Sequence, residues 1–234
     1  MTAPRPARRS RRHTTGPGYI RPEKVIPTTI WAAGTEPIDA AHLWPTSIVA
    51  RAVGEFSTAG DQILLLDWPT HPHEATGRCG SDITDALSHI QGFGRSVRIL
   101  DPSVGDPAVV DLIITTQMPG HHNPDAGPRL MGFAATRLRA GGVLVVLTRC
   151  DWTHGVLNDP TGAIVADAQA ADLLYLQHIA AVAIRGDAIV ADTTTPTAAA
   201  RRRGHDRVHT DVLVFTQPND RDQQVLQLNP RTLP

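Results

Sequence analysis

Short apolar runs, each closed by a polar residue, recur along this chain and decide most of what it can become. Gln62-Ile63-Leu64-Leu65-Leu66-Asp67 is unbroken until its final acid, Val109 to Thr115 and Val143 to Thr148 repeat the pattern, and Val97 to Asp101 is a shorter version. A strand wetted on one side alternates apolar and polar residues, whereas a continuous run of this length fits a strand covered on both faces. Helical spacing separates the runs. From about Pro45 to Phe56, the residues Ile48, Val49, Ala52, Val53 and Phe56 fall on one face, and Ser57-Thr58-Ala59-Gly60-Asp61 stops the helix. Further helices are expected over Ile83–Ile90, over Leu130–Leu138 ending at Ala140-Gly141-Gly142, and over Gly162–Leu174, the last followed by apolar Leu176 to Ile184. Thr28 to Ala32 and Asp187 to Ala191 read as extended, and Val212 to Thr216 as a late strand. Strands separated by helices predict an α/β fold with a doubly wound, mostly parallel sheet. The last two strands have no clear helix between them, which predicts an antiparallel pair at one edge.

A chain of 234 residues suits one domain. We expect it to span 25–218, between a disordered basic tail (1–24) and a C-terminal tail (219–234). Hydrophobic residues make up 41% and aromatic residues only 4%, so the core has to be built from Val, Ile, Leu and Ala. The longest apolar candidate, Ala163 to Ile184, is interrupted by Asp167, Asp172 and His178, short of the ~20 residues a bilayer-spanning helix needs. The basic N-terminus has no apolar segment after it, so no secretory signal is read there. Cys79 and Cys150 give no disulfide framework and fit a reducing compartment, and a cytoplasmic location is expected. The net charge of −1 announces no global attraction to nucleic acid. The cations are clustered all the same: Arg5, Arg8, Arg9, Arg11 and Arg12 lie in the tail, and Arg201, Arg202, Arg203 and Arg207 near the end. Both clusters are read as phosphate contacts or as solvated segments.

In a doubly wound sheet, ligands bind beyond the carboxyl ends of the strands, where the strand order switches direction. That rule singles out Asp67 with the loop Trp68 to Glu74, Asp101-Pro102, Thr115-Thr116-Gln117, and Arg149-Cys150-Asp151.

Seven segments, in order over roughly residues 28–218, resemble a family of bacterial AdoMet-dependent methyltransferases that includes DNA amino-methylases and tRNA guanine-N2 methyltransferases. They are Thr29-Ile30-Trp31-Ala32; His42 and Pro45 with the helix and its Ser57–Asp61 turn; Ile63 to Asp67; Asp111 to Thr116; Leu138 to Val146; His154-Gly155 with Leu157-Asn158-Asp159; and His209 to Phe215. The resemblance implies a Rossmann-like sheet of the methyltransferase type with S-adenosyl-L-methionine as cofactor. It places Asp67, Pro69 and Asp101 at the cofactor and Thr116 and Gln117 at the target amine of a DNA or RNA base. The Arg-rich tail and the Arg201–Arg203 loop would hold phosphate.

Three departures imply an alternative, a catalytically inactive relative that binds nucleic acid or protein. The loop Asp67-Trp68-Pro69-Thr70-His71-Pro72-His73-Glu74 has no glycine before Gly77, where the family uses glycines to bring backbone N–H groups close to the cofactor. Gln117-Met118-Pro119 stands where the family has Pro-Pro-Tyr, so an acceptor for an amine is present and an aromatic face for a flipped base is not. The interval from Asp67 to Asp111 is short by one strand–helix unit.

Other constellations weigh less. His71, His73, Glu74 and Cys79, and the pair His121-His122, have no recognised metal-ligand spacing and read as polar loop residues, so no metal is expected. No phosphate-binding Gly-x-x-x-x-Gly-Lys-Ser/Thr or Gly-x-Gly-x-x-Gly occurs. Cys150 reads as a structural thiol, no general base being identifiable beside it. Trp31, Trp44, Trp68 and Trp152 flank the inferred crevice, either as stacking surfaces or as packing at strand ends.

Overall fold

The computed structural model describes residues 29–39, 42–68, 79–100, 109–119, 125–153, 156–191 and 208–219. The expected basic tail, Pro69, Asp101, the histidines at 71, 73, 121 and 122, and the Arg201–Arg203 loop lie outside these residues.

The chain runs β1 (Ile30–Ala32), α1 (Thr46–Phe56), β2 (Gln62–Leu66), α2 (Cys79–Ile90), β3 (Ser96–Leu100), β4 (Val110–Thr116), α3 (Ala126–Arg137) and β5 (Leu138–Thr148). A small hairpin of β6 (Asp151–Thr153) and β7 (Val156–Asn158) follows, then α4 (Thr161–Ala170), β8 (Leu174–Arg185), β9 (Ala188–Val190) and β10 (His209–Thr216). The main sheet has the order β1-β8-β10-β5-β4-β2-β3, with β9 paired to β8. β2 is parallel to β3 and β4, and β4 to β5, while β10 is antiparallel to both β5 and β8. The expected doubly wound, mostly parallel sheet is therefore present, and its antiparallel C-terminal pair is β8 with β10. Three residues of β1 flank that pair, running parallel to β8.

Side-chain alternation explains the continuous apolar runs. Ile63, Leu65, Leu112, Ile114, Val145 and Leu147 point to one face and pack on α1 and α2 through Ile48, Val49, Ala52, Ile83 and Ala86. Leu64, Leu66, Ile113, Leu144, Val146 and Phe215 point to the other and pack on α3 and α4 through Leu130, Met131, Ala134, Ile164 and Ala168. Each fully buried aliphatic side chain contributes about 1.5–3 kcal/mol relative to exposure, so strands covered on both sides gain from every position. β3, at the sheet's outer edge, is only partly covered and reads as a weaker run.

Two anchors fix the end of the sheet opposite the crevice. The Asp111 carboxylate accepts the Gln62 backbone N–H (2.8 Å) and pairs with Arg139 (2.7 Å), joining the starts of β2, β4 and β5. Arg95 closes the end of α1 by donating to the Ser57 carbonyl (2.7 Å) and hydroxyl (3.0 Å), a cation placed where the helix presents its unpaired carbonyls.

Several boundaries differ from the sequence expectation, α2 and α3 each starting four residues early, at Cys79 and Ala126. α3 stops at Arg137, and Leu138 to Gly142 are strand, because Val110 pairs with Leu138, the Gly141 N–H donates to the Gln217 carbonyl and the Gln217 N–H donates to the Gly142 carbonyl. Gly141, at φ +77°, takes the irregularity that this pairing needs. α4 ends at Ala170, four residues early, because Asp172 turns the chain at φ +61° and Leu173 N–H returns to the Ala168 carbonyl. The apolar stretch after it is a twelve-residue strand, β8.

Candidate functional site

The order β3-β2-β4 sets the switch point. From β2 the chain goes outward to β3 and then crosses back to β4 on the other side of β2. The crevice therefore opens beyond Leu66 and Thr116. Its floor is tied by the buried Thr115 hydroxyl, which donates to the Leu66 carbonyl (2.9 Å). Asp67 and Trp68 leave β2 half-buried at this end, and Trp68 turns onto α3, its ring 5.5 Å from that of Phe133. Arg137 also lies over the Phe133 ring, at 5.0 Å.

Gln117 is held by its backbone. Its N–H donates to Leu147 (2.9 Å), and its carbonyl accepts the Thr148 hydroxyl, so β4 and β5 both fix its position. Its carboxamide oxygen is buried and has no hydrogen-bond partner. Leaving a buried acceptor unpaired costs roughly 1–3 kcal/mol. Beside it, Gly127 in the first turn of α3 lets the Asp167 carboxylate of α4 approach. A Cβ on Gly127 would stand 2.1 Å from Asp167 Oδ2 and 3.2 Å from Gln117 Nε2. Burial pushes the Asp167 carboxyl above its ordinary value.

Of the expected site residues, Asp67, Thr116 and Gln117 stand together at the switch point. Pro69 and Asp101 lie outside the described residues. Trp31 and Trp44 are buried in the core on the α1 side, away from the crevice mouth, and only Trp68 remains beside it among the tryptophans whose side chains are described. Sequence reasoning missed Asp167 and Gly127, which come to Gln117 from separate helices with no motif in common.

A second polar group was also missed, further along the same edge. Asp211 on β10 is 3% exposed, with Oδ1 2.7 Å from His178 Nε2 and 3.2 Å from His209 Nε2. Its Oδ2 is buried and has no hydrogen-bond partner. Asp159, ahead of α4, faces His178; backbone and side-chain hydrogen bonds from Thr161, with one from Cys150, hold its carboxyl below the ordinary range. Cys150 is half-buried. The available signal was His209 and Asp211 two apart in a strand, hence on one face. Among the described residues, no group of three His, Cys, Asp or Glu is arranged to hold a metal ion.

The feature that separates this sheet from a fully parallel doubly wound one is β10, antiparallel and inserted between β5 and β8. This is a Rossmann-like α/β fold, a mostly parallel sheet with one antiparallel strand inserted near its C-terminal edge. No protein-family model matches the chain, and no curated protein matches its sequence. Solved structures do resemble it at low identity. The N-methyltransferase NodS from Bradyrhizobium japonicum WM9 is 13% identical, with a TM-score of 0.42, over 74% of this chain and 94% of that one. A putative methyltransferase from Haloferax volcanii, in complex with the Trm112 methyltransferase activator, is 14% identical, with a TM-score of 0.46, over 76% of this chain and 90% of that one. The [4+2]-cyclase SpnF is 15% identical, with a TM-score of 0.46, over 80% and 88%. No helix among the described residues is long and apolar enough to cross a membrane.

Proposed function

We infer that this chain is a divergent AdoMet-dependent methyltransferase-like protein whose cofactor site is the crevice beyond β2 and β4. The observation that carries the reading is the Gln117 carboxamide oxygen, buried at the topological switch point with no partner. S-adenosylmethionine carries N–H donors, and the Asp67 carboxylate at the end of β2 offers it an acceptor, while the Gln117 carboxamide oxygen across the switch point is left for the target amine. The cofactor supplies an electrophilic methyl group on a sulfonium; the protein's part is to hold donor and acceptor in line and to exclude water.

The acceptor implied by the resemblance is an exocyclic amine of a DNA or RNA base. Thr116 and Gln117 stand at the strand end where it would approach, and the Arg-rich tail and Arg201–Arg203 would hold phosphate. A second reading, an inactive relative acting as a binding module, is favoured by the edge position of β3. Residues 101–109, nine in all, connect β3 to β4. As a helix they would span only ~13 Å, short of the length of a strand, so this connection has no room for the strand–helix unit that a six-stranded doubly wound sheet carries.

The test is calorimetric titration of the full chain with S-adenosylmethionine and S-adenosylhomocysteine. Micromolar binding that weakens by about tenfold in Asp67→Asn supports the cofactor site, and a methyl-transfer screen on DNA and tRNA then decides the acceptor. A folded protein with no binding to either ligand leaves the binding-module reading.

A further inference from the structure

We propose that the flank of α3 carrying Arg129, Phe133 and Arg137, with Trp68 beside it, is a docking surface for a single strand of nucleic acid. This surface serves the nucleic-acid part of the reading above, on which the inference rests, and needs neither bound cofactor nor methyl transfer. The arginines single out the flank. Among the described residues, Arg51, Arg95, Arg139 and Arg185 each donate to a carbonyl, hydroxyl or carboxylate, and Arg98 and Arg149 are engaged as well. The guanidinium groups of Arg129 and Arg137 make no hydrogen bond or ion pair with any described residue. Arg137 is half-buried and its Nε is enclosed without an acceptor, so part of its hydration is lost and no protein anion replaces it. α3 contains no acidic residue, and Asp67 and Asp125, near its start, are engaged with other groups.

Helical spacing turns the two cations into one surface. Arg129, Phe133 and Arg137 follow at i, i+4 and i+8 and form a stripe about 12 Å long. Trp68, leaving the end of β2, meets Phe133 at 5.5 Å, which turns the stripe towards β2. α4 meets α3 on the other flank, where Asp167 lies against Gly127. Arg129 belongs to the same first turn of α3 as Gly127, beside Gln117. A strand laid along the stripe from Arg137 to Arg129 therefore arrives at the strand ends where Thr116 and Gln117 stand.

The rings between the cations decide the class of partner. Arg137 lies over the Phe133 ring at 5.0 Å, and a guanidinium stacked in this way keeps its N–H groups in its own plane, where a phosphate can meet them. Phe133 also braces Trp68, a half-buried aromatic at the mouth of the crevice, in a tilted contact. Phosphates take the arginines and an unstacked base takes the indole. A cationic track beside an aromatic platform is what single strands bind, whereas a duplex keeps its bases in its own stack. An acidic peptide would use the arginines and leave the rings idle.

The test is fluorescence anisotropy of the full chain with a fluorescein-labelled oligo(dT) of about 15 nucleotides, repeated over a range of salt concentrations. Each phosphate neutralised on a single strand adds about 0.7 to the steepness of log affinity against log salt, so Arg129→Gln with Arg137→Gln should lower it by about 1.4 and weaken binding at low salt. Arg129 is exposed, so Arg129→Gln alone leaves the fold intact and should give about half of that change. Trp68→Ala should weaken binding at least about fivefold with the steepness unchanged, and Trp68→Phe should restore most of it. Arg51→Gln, on α1 across the sheet, should change neither quantity. Binding that is unaltered in the double variant overturns the proposal and leaves the tail and the Arg201–Arg203 loop as the phosphate contacts. Equal binding of poly-glutamate, with no effect of Trp68→Ala, overturns it in favour of a general polyanion surface. No binding of oligo(dT) by the wild type overturns it together with the nucleic-acid reading, while titration with S-adenosylmethionine decides the cofactor site separately.

Discussion

Replacing Gly127 with alanine probes the junction that holds Gln117. The new Cβ would lie 2.1 Å from Asp167 Oδ2, 3.3 Å from Asp167 Cγ and 3.2 Å from Gln117 Nε2. Ordinary carbon–oxygen contacts begin near ~3.3 Å, so the carboxylate has to retreat by about 1.2 Å. Overpacking of this size costs about 1–3 kcal/mol, and the better helix propensity of alanine offsets about 0.5–1 kcal/mol of it. The net for Gly127→Ala alone is a modest destabilisation of about 1 kcal/mol. The sharper quantity is the coupling. In an Asp167→Ala background the obstructing carboxylate is gone, and Gly127→Ala should become neutral or stabilising. The cycle should therefore give an interaction of about 1–3 kcal/mol, measured by urea unfolding followed by far-ultraviolet circular dichroism. If Gly127→Ala has the same effect in both backgrounds, Asp167 is not packed against this turn and the description of the Gln117 pocket is wrong.

Three further outcomes follow from individual residues. Asp167 is raised by burial, so the folded state binds the proton more tightly than the unfolded state and wild-type stability falls as pH rises through that window. Asp167→Asn should be more stable than wild type at pH 7, with the advantage disappearing as pH drops below the ordinary carboxylate range in parallel unfolding curves. Asp159 is lowered, chiefly by the Thr161 backbone N–H (2.9 Å), so its contribution is present at neutral pH and lost as pH falls through its folded value. Asp159→Ala should cost about 0.5–2 kcal/mol at pH 7, the range for loss of a helix-start acceptor, and progressively less in acid. Phe215→Ala empties a fully buried site against Tyr175 and should cost about 3–5 kcal/mol, a fall of roughly 6–20 °C in melting temperature by calorimetry.

Strands were easier to find in this sequence than their partners. Ile63 to Leu66, Leu112 to Thr115 and Val143 to Thr148 announced themselves because central parallel strands are apolar on both faces, and β2, β4 and β5 lie where these runs predict. α1 was legible from its buried stripe at Ile48, Val49, Ala52 and Val53. β8 was ambiguous because its residues are buried only towards its end, and an apolar run without alternation does not distinguish strand from helix. The β6–β7 hairpin had no signal, being two three-residue strands with exposed Val156 and Leu157. At the candidate site, the strand-end positions of Asp67, Thr116 and Gln117 were legible because topology fixes the end of a strand. Asp167, Gly127 and the His178–Asp211 pair were not, because each comes from an element whose neighbour depends on the strand order itself.

That order also dictates a sequence of events during synthesis. β10 is the last strand of the sheet to be made, yet it sits between β5 and β8 and supplies the hydrogen bonds that join them. Until it arrives, β3-β2-β4-β5 can assemble with one raw edge at Val143 to Thr148, while β8 holds only β1 and β9. Some 60 residues separate the end of β5 from the start of β10, which at ~5–20 residues per second leaves an apolar edge unpaired for several seconds. A ribosome-bound chain stalled before His209 is thus the form of this protein most in need of a chaperone, and a C-terminal truncation there would yield two incomplete sheets rather than a shortened one.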